Sequence, residues 1–300
     1  MTDDYELVRV PVDAVGSGSG ELAVGVWNRG RPRTVIAFHG ITASHQSWPA
    51  VVRALPDVTF VAPDLRGRGG SRALVGPFGM AQHAADGVAT LDHLDIRGSV
   101  DLLGHSMGGF VAMRFAELYP ERSRTVTLVD GGVPLPLPAG VPIETLMKQT
   151  LGPAIARLGE TYPTREVYRE FWRAHPAFAN DWTPDALAYV DYDLVGEEPS
   201  FRSSASADAV LGDAVEQGVG TIADQPWSLV SRPIMFLRAP RGMLDGPQGL
   251  YPSDYVQQFA ERHPNLHVWD VPDVNHYTII MKKAGADAVA AAVTGEGAPS

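Results

Sequence analysis

The segment 104–108, which reads Gly-His-Ser-Met-Gly, lies between an apolar run at 99–103 and a helix-like run at 110–116. Strand, sharp turn and helix form the context in which Gly-x-Ser-x-Gly builds a nucleophile elbow. Small residues let the backbone turn tightly and leave the serine oxygen exposed at a helix N-terminus. We therefore predict that Ser106 is a catalytic nucleophile, and the alternative is a plain glycine-rich turn between strand and helix.

Short apolar runs alternate with helix-like segments over much of the chain. Continuous apolar runs are typical of strands buried in a parallel sheet, and their alternation with helices implies βαβ units. Two further runs, 7–12 and 22–27, flank a glycine-serine stretch at 16–20 and predict a β-hairpin. The fold class is therefore α/β, with a mostly parallel central sheet flanked by helices. The predicted strands of that sheet are 34–38, 59–62, 100–103, 125–129, 233–237 and 266–269, and the helices are 48–55, 81–94, 255–262 and 282–293.

The alternation stops at the proline-rich segment 133–138 and resumes at 233. Proline at this density cannot continue a helix or a central strand. The stretch 141–225 is rich in helix formers and aromatic residues and shows no buried-strand pattern. We predict a core domain made of 1–132 and 226–300, with 133–225 inserted as a helical cap (lid). The aromatic residues of the cap either face an apolar or aromatic substrate or form a small core of their own.

Composition excludes several classes of function. The 300-residue chain carries a net charge of −11, which argues against a nucleic-acid surface. It has no cysteine, so disulfides, thiolate metal sites and cysteine nucleophiles are excluded. There is no run of about 18 apolar residues, and the acidic N-terminus is unlike a signal peptide, so we expect no membrane span and a cytoplasmic location. We find no metal-ligand spacing, dinucleotide fingerprint or phosphate loop, and predict no metal and no cofactor.

Three motifs, taken in order, make the chain resemble the α/β-hydrolase superfamily. They are His39-Gly40 after a predicted strand, the segment 64–71 (Asp-Leu-Arg-Gly-Arg-Gly-Gly-Ser), and the elbow at Ser106. The resemblance covers nearly the whole chain except the variable middle. It implies an oxyanion hole formed by the backbone N–H groups of Ile41 and Met107, which must point at the charge that develops on the substrate oxygen.

A serine hydroxyl needs a base to take its proton, and the superfamily order is serine, acid, histidine. Of the nine histidines, His276 lies in a loop after the last predicted strand and is the predicted base. His39 is expected to make structural hydrogen bonds and His105 to pack at the elbow. His45 is a weaker candidate for lining the pocket.

The acid of the triad has two candidates. In most of the superfamily it follows the strand that begins here near 233, but Arg241 lies near that position and Asp245 comes later, after a longer loop. Asp130 ends the strand after the elbow, as the acid does in certain haloalkane dehalogenases and resorcylic-lactone hydrolases that look similar. We favour Asp130 and keep Asp245 as the alternative; a turn residue and a solvated loop carboxylate are the respective non-catalytic interpretations.

These residues predict a cofactor-free serine hydrolase that cleaves a carboxylic ester or lactone through an acyl-enzyme on Ser106. Serine rather than aspartate at the elbow disfavours epoxide hydrolases and dehalogenases. The same triad would also serve a carbon–carbon bond hydrolase, a perhydrolase or a lyase, and a slow-turnover ligand-binding receptor is a further alternative. Substrate identity and oligomeric state stay open.

Overall fold

The computed structural model describes residues 4–13, 20–136, 156–217 and 222–296. Its centre is an eight-stranded sheet. The first two strands form an antiparallel hairpin that joins the sheet in antiparallel register, whereas the other six strands of this sheet pair in parallel. The predicted α/β fold is confirmed. The glycine-serine stretch predicted as the hairpin turn lies almost wholly outside the described residues.

The helices and strands for which the sequence predicts bounds begin and end within a few residues of those bounds. The strands are β1 (Tyr5–Val12), β2 (Gly20–Trp27), β3 (Arg33–Phe38), β4 (Val58–Pro63), β5 (Val100–His105), β6 (Ser123–Val129), β7 (Leu194–Val195), β8 (Arg202–Ser203), β9 (Ile234–Arg238) and β10 (Leu266–Asp270). Their order in the central sheet is β1-β2-β4-β3-β5-β6-β9-β10. The helices are α1 (Pro49–Ala54), α2 (Met80–His93), α3 (Met107–Leu118), α4 (Arg165–Arg173), α5 (Pro184–Asp193), α6 (Ala207–Ala214), α7 (Pro226–Leu229), α8 (Ser253–Arg262), α9 (Thr278–Met281) and α10 (Lys283–Thr294).

Two apolar cores lie on opposite faces of the sheet, because successive side chains of a strand point to opposite sides. In β3, Ile36 and Phe38 belong to one core, and Val35 and Ala37 belong to the other. The strand is therefore apolar at every buried position and does not alternate with polar residues. This pattern is what made the parallel strands recognisable as continuous runs in the sequence.

Residues 156–217, called the cap segment below, belong to the stretch of chain between the sheet strands β6 and β9. The described cap segment contains α4, α5 and α6, in agreement with the expected helical character. It also contains a two-stranded antiparallel ribbon, β7–β8, which the sequence analysis did not predict. Two residues per strand are too short to give a periodic signal. The limits 133 and 225 assigned to the cap stay a prediction, since 137–155 and 218–221 lie outside the described residues.

Most of the cap's aromatic residues pack against one another. Trp172 contacts Phe178 and Tyr189 at ring separations of 5.5 and 6.1 Å, and Tyr162 contacts Tyr168 at 4.7 Å. They form an apolar core within the cap segment and continue into the core on one face of the sheet. Throughout the described ranges, we find no helix that combines the length and apolar character needed to cross a bilayer.

Candidate active site

Ser106 occupies a sharp turn between β5 and α3. Its φ of 54° and ψ of −124° are unusual for a residue with a side chain, and its amide donates to the Val129 carbonyl at 3.0 Å. The turn needs glycine on both sides. A Cβ on Gly104 would lie 2.2 Å from the Gly108 carbonyl oxygen, and one on Gly108 would lie 1.9 Å from the carbonyl oxygen of Phe38. The observed geometry is that of a nucleophile elbow.

The parallel register brings Asp130 beside the elbow. His105 at the end of β5 pairs with Val129 at the end of β6, so Ser106 and Asp130 follow at the same level of the sheet edge. The Asp130 amide donates to the carbonyl of Leu237 in β9 at 2.8 Å, which fixes this residue between two strands.

His276 and Asp130 form a buried pair. Nδ1 of His276 lies 2.7 Å from Oδ2 of Asp130, so that Nδ1–H donates to the carboxylate. Oδ1 of Asp130 accepts a second hydrogen bond, from the Ala239 amide at 3.2 Å. Because Nδ1 carries the proton, Nε2 of the neutral ring is left as the acceptor.

Ser106 and His276 line the same cavity. Its volume, including the part open to solvent, is about 360 Å³. The two side chains are not hydrogen-bonded to each other in this structure, as is common before a substrate binds. Apolar side chains supply much of the wall: Ile41, Tyr189, Met243, Tyr277, Ile280 and Met281. Burial raises the pKa of Tyr277 to about 12, so its phenol is neutral at pH 7.

Asp245, the alternative acid, does not contact His276. One of its carboxylate oxygens accepts a hydrogen bond from Nδ2 of Asn275 at 2.9 Å, and its carboxylate pairs with Arg241, whose Nε lies 3.3 Å away. Arg241 itself donates to the carbonyl of Asp273 at 3.0 Å. Asp245 thus contacts Asn275, the residue before His276 in the chain, and not the imidazole itself.

Asn275 organises that loop, and the sequence analysis did not identify it. Its Oδ1 accepts from the amides of Tyr277 and Thr278 at 3.0 and 2.9 Å, and its Nδ2 donates to the carbonyl of Ala177 in the cap segment at 3.0 Å. Asparagine placed just before a short helix is a familiar capping signal. That signal was present in the sequence next to His276.

Gly40 lies beside the nucleophile, and the candidate oxyanion donors Ile41 and Met107 directly follow Gly40 and Ser106 in the chain. A Cβ on Gly40 would lie 3.3 Å from Cβ of Ser106, so the loop after β3 passes directly beside the nucleophile. Met107 is the first residue of α3, where helix amides have no intrahelical partner. Among the described residues, neither the Ile41 nor the Met107 amide donates a hydrogen bond to another group. Both are available to an oxyanion.

His39 and His105 each make structural hydrogen bonds. His39 accepts from the Leu65 amide at Nε2 (2.9 Å), and its Nδ1 donates to the Gly40 carbonyl (2.8 Å). Burial lowers the pKa of His39 to about 4 and that of His105 well below its ordinary value, so both rings are neutral. Nε2 of His105 donates to the His276 carbonyl at 2.7 Å and so supports the histidine loop from below.

The lining of the cavity bears on two further expectations, of which the one for His45 is not supported. His45 is fully buried outside it, in a hydrogen-bonded network with Asp64. The cap aromatics within the described ranges follow both alternatives: Tyr189 lines the cavity beside Ser106, and the others named above pack among themselves. Nor does that part of the chain hold a cluster of three histidine, aspartate or glutamate side chains arranged for a metal ion.

Comparison with known proteins agrees with this architecture. The family described as "alpha/beta hydrolase fold" matches residues 33–173. In structure, the chain is similar to E-2-(acetamidomethylene)succinate hydrolase, with a TM-score of 0.73 and 19% identity over 97% of this chain and all of the other. The chain therefore has the α/β-hydrolase fold, and the family match and the structural similarity both support the α/β-hydrolase superfamily.

Curated relatives match over shorter segments. Lipase LipV of Mycobacterium tuberculosis is 34% identical over 104 residues, which cover 35% of this chain and 39% of the lipase. The 3-hydroxybutyrate-oligomer hydrolase of Cupriavidus necator is 35% identical over 104 residues, covering 34% of this chain and 35% of that enzyme. The chain thus spans well under half the length of each of these relatives. The superfamily is one of hydrolase enzymes.

Proposed function

We propose that this protein is a cofactor-free serine hydrolase that cleaves carboxylic esters, including cyclic esters. The observation that carries the proposal is the arrangement at one cavity of Ser106 on its elbow and of His276, whose ring is held by Asp130. Three groups from three separate segments meet where a nucleophile, a base and an acid are needed.

The reaction begins when His276 Nε2 takes the proton of Ser106 and the serine oxygen attacks the carbonyl carbon. The resulting oxyanion accepts hydrogen bonds from the amides of Ile41 and Met107, which have no competing acceptor among the described residues. The imidazolium then gives its proton to the leaving alcohol, and an acyl-enzyme remains. A water molecule, activated by the same imidazole, releases the carboxylic acid and regenerates the serine.

Asp130 has the task of keeping His276 in the tautomer that can accept this proton. A carboxylate at Nδ1 holds the proton there and stabilises the imidazolium that forms during each step. The Ala239 amide and the strand register fix the carboxylate in turn. Aspartate at this position therefore supplies both orientation and charge.

The apolar wall of the cavity supports a substrate class. Met243, Ile280 and Met281 offer no charged group to a polar acyl chain. We therefore propose apolar acyl groups; the names of the lipase and the oligomer hydrolase support ester bonds as the bonds attacked.

The test compares Ser106→Ala with the wild-type protein and with Ser228→Ala, which removes an exposed serine on α7. Hydrolysis of p-nitrophenyl acetate, butyrate and octanoate is measured together with a small lactone. We expect turnover of these esters by the wild type, no change in Ser228→Ala, and a loss of about a millionfold in Ser106→Ala. A fluorophosphonate should label Ser106, as located by peptide mass spectrometry. Absence of hydrolysis by the folded wild type, or labelling elsewhere, would refute the proposal.

A further inference from the structure

Two arginine side chains hold the loop that carries the Ile41 amide. Nε of Arg68 donates to the Ile41 carbonyl at 2.9 Å, and Nη2 of Arg157 donates to the Thr42 carbonyl at 3.0 Å. Arg68 belongs to the loop after β4, and Arg157 belongs to the cap segment. Residues 40–43, called the oxyanion loop below, therefore accept hydrogen bonds from one arginine of the core and one arginine of the cap segment. Neither residue entered the site prediction made from the sequence.

The loop carbonyls determine where its amides point. In a trans peptide the C=O and N–H groups point in opposite directions. The Gly40 carbonyl, which shares a peptide with the Ile41 amide, accepts from the Ala43 amide at 3.0 Å within the same loop. Holding the next two carbonyls fixes the turn that makes this bond possible. Small displacements count here, because a shift of about 1 Å at a reacting centre lowers rates by about a hundredfold.

Both guanidinium groups are fully buried and paired with carboxylates from the cap segment. Arg68 lies 2.7 Å from Asp213, and Arg157 lies 3.4 Å from Asp193. Arg157 also stacks on the Trp172 ring at 5.1 Å. Burial alone lowers an arginine pKa, but Asp193 raises that of Arg157 above its ordinary value, so it keeps its charge.

Stability alone is a poor reason for such pairs. Removing two charges from water is expensive, and apolar side chains of similar volume often stabilise a protein as well or better. An apolar side chain, however, cannot donate a directional hydrogen bond to a carbonyl oxygen. The two arginines supply that bond at two successive carbonyls of one short loop, directly beside Ser106.

We propose that Arg157 and Arg68 are positioning residues that hold the oxyanion loop in its reactive orientation, so that docking of the cap segment completes the oxyanion hole. The cap then sets the rate of the chemical step as well as enclosing the substrate. This inference rests on the proposed function, since it concerns the oxyanion of the same reaction.

The test uses Arg157→Met and Arg157→Lys, with Arg169→Met as the matched control. Arg169 lies in the cap segment too and pairs with Asp191 at 2.7 Å, but it is partly exposed and makes no contact with the loop 40–43. We expect kcat on p-nitrophenyl acetate to fall about a hundredfold in Arg157→Met and about tenfold in Arg157→Lys, with KM changed less than threefold. The control should stay within twofold of wild type.

Fluorophosphonate titration of Ser106 normalises each kcat to the reactive fraction. If Arg157→Met does not fold, Arg157→Lys decides the matter: a kcat within twofold of wild type overturns the proposal, and a selective fall in kcat supports it. For a folded Arg157→Met, a kcat within threefold of Arg169→Met likewise overturns it. A parallel rise in KM by the same factor as the fall in kcat also counts against it, because that pattern indicates a damaged binding pocket.

A second measurement does not depend on turnover. Hydrogen exchange of the Ala43 amide, which donates to the Gly40 carbonyl, should become at least tenfold faster in both Arg157 variants and remain unchanged in Arg169→Met. Unchanged exchange overturns the inference even if kcat falls. If the wild type shows no Ser106-dependent hydrolysis, the proposed function fails, and the exchange experiment still shows separately whether Arg157 holds the loop.

Discussion

Two of the buried histidine–aspartate pairs among the described residues have nearly equal separations, yet their surroundings differ. In one, Nδ1 of His276 is 2.7 Å from Asp130; in the other, Nδ1 of His45 is 2.9 Å from Asp64. Nε2 of His276 faces the cavity and has no hydrogen-bond partner among the described residues. Nε2 of His45 is occupied by the Tyr5 hydroxyl at 2.9 Å.

The carboxylates differ in the same way. Asp64 is surrounded by donors: His45 twice, the Gly70 amide at 2.7 Å and the Tyr192 hydroxyl at 2.7 Å. Burial would raise its pKa, but His45 and these hydrogen bonds outweigh burial and lower it to about 2. Tyr192 belongs to the cap segment, so the pair fastens the cap to the core. The His276–Asp130 pair, called the open pair below, leaves one ring nitrogen without a hydrogen bond in the cavity that Ser106 lines, whereas the His45–Asp64 pair, called the closed pair below, has both ring nitrogens hydrogen-bonded.

Removing the charge from the open pair should have the largest effect. We expect Asp130→Asn to lower kcat/KM for p-nitrophenyl acetate by about ten-thousandfold, because asparagine cannot stabilise the imidazolium and favours the wrong tautomer. The melting temperature should change little, since the amide can still meet the Ala239 N–H group. A fall of less than tenfold in a folded variant would show that the chain works without this acid.

The same substitution in the closed pair should lower the stability of the fold and change kcat much less. Asp64→Asn replaces an acceptor that four donors share, and we expect it to lower the free energy of unfolding by about 3 kcal/mol or more. Its kcat, measured well below the melting temperature, should remain within about tenfold of wild type. Urea unfolding and steady-state kinetics check the two parts; a loss of activity without a loss of stability would place Asp64 in the catalytic apparatus.

Acid should weaken the closed pair. The pKa of Asp64 is about 2 in the folded protein and about 4 in an unfolded chain. A depressed carboxyl pKa stabilises the fold fully above pH 4, and this contribution is lost as the pH falls toward 2. We expect unfolding experiments between pH 5 and pH 2 to show a loss of about 2 kcal/mol that is missing in Asp64→Asn. Equal slopes for the variant and the wild type would contradict this assignment.

Asp245→Asn should have the smallest effect. Its carboxylate reaches the histidine loop through Asn275, which an asparagine side chain can still contact through its oxygen. We expect kcat/KM to fall less than tenfold, against ten-thousandfold for Asp130→Asn in the same assay. If the ranking is reversed, Asp245 is the triad acid in solution, and the loop must rearrange to bring it to His276.

The sequence was sufficient where a local pattern carried the information. The elbow at Ser106, the parallel strands and the position of His276 after the last strand were all recognisable from neighbouring residues. The preference for Asp130 over Asp245 rested on the unusual residue Arg241 and on the end of a strand. The structure brings Asp130 to His276, and its catalytic role stays a prediction until it is tested.

Other features could not be predicted from the sequence because the residues in contact are far apart in the chain. No local signal connects Arg157 with Thr42, or Tyr192 with Asp64, since each contact joins the cap segment to a loop of the core. The aromatic residues of the cap were readable as apolar, but not as facing inward or toward the substrate. Only packing decides that, and it leaves Tyr189 at the cavity and Trp172 in the cap's own core.

The sequence by itself determined the fold class and the elbow, because each depends on residues within one strand, turn or helix. The tertiary structure alone decided which carboxylate meets His276, which of the two histidine–aspartate pairs stays open, and which arginines hydrogen-bond to the carbonyls of Ile41 and Thr42. These outcomes depend on strand register and on the docking of the cap segment, where hydrogen-bond geometry is set across distances that no sequence window spans.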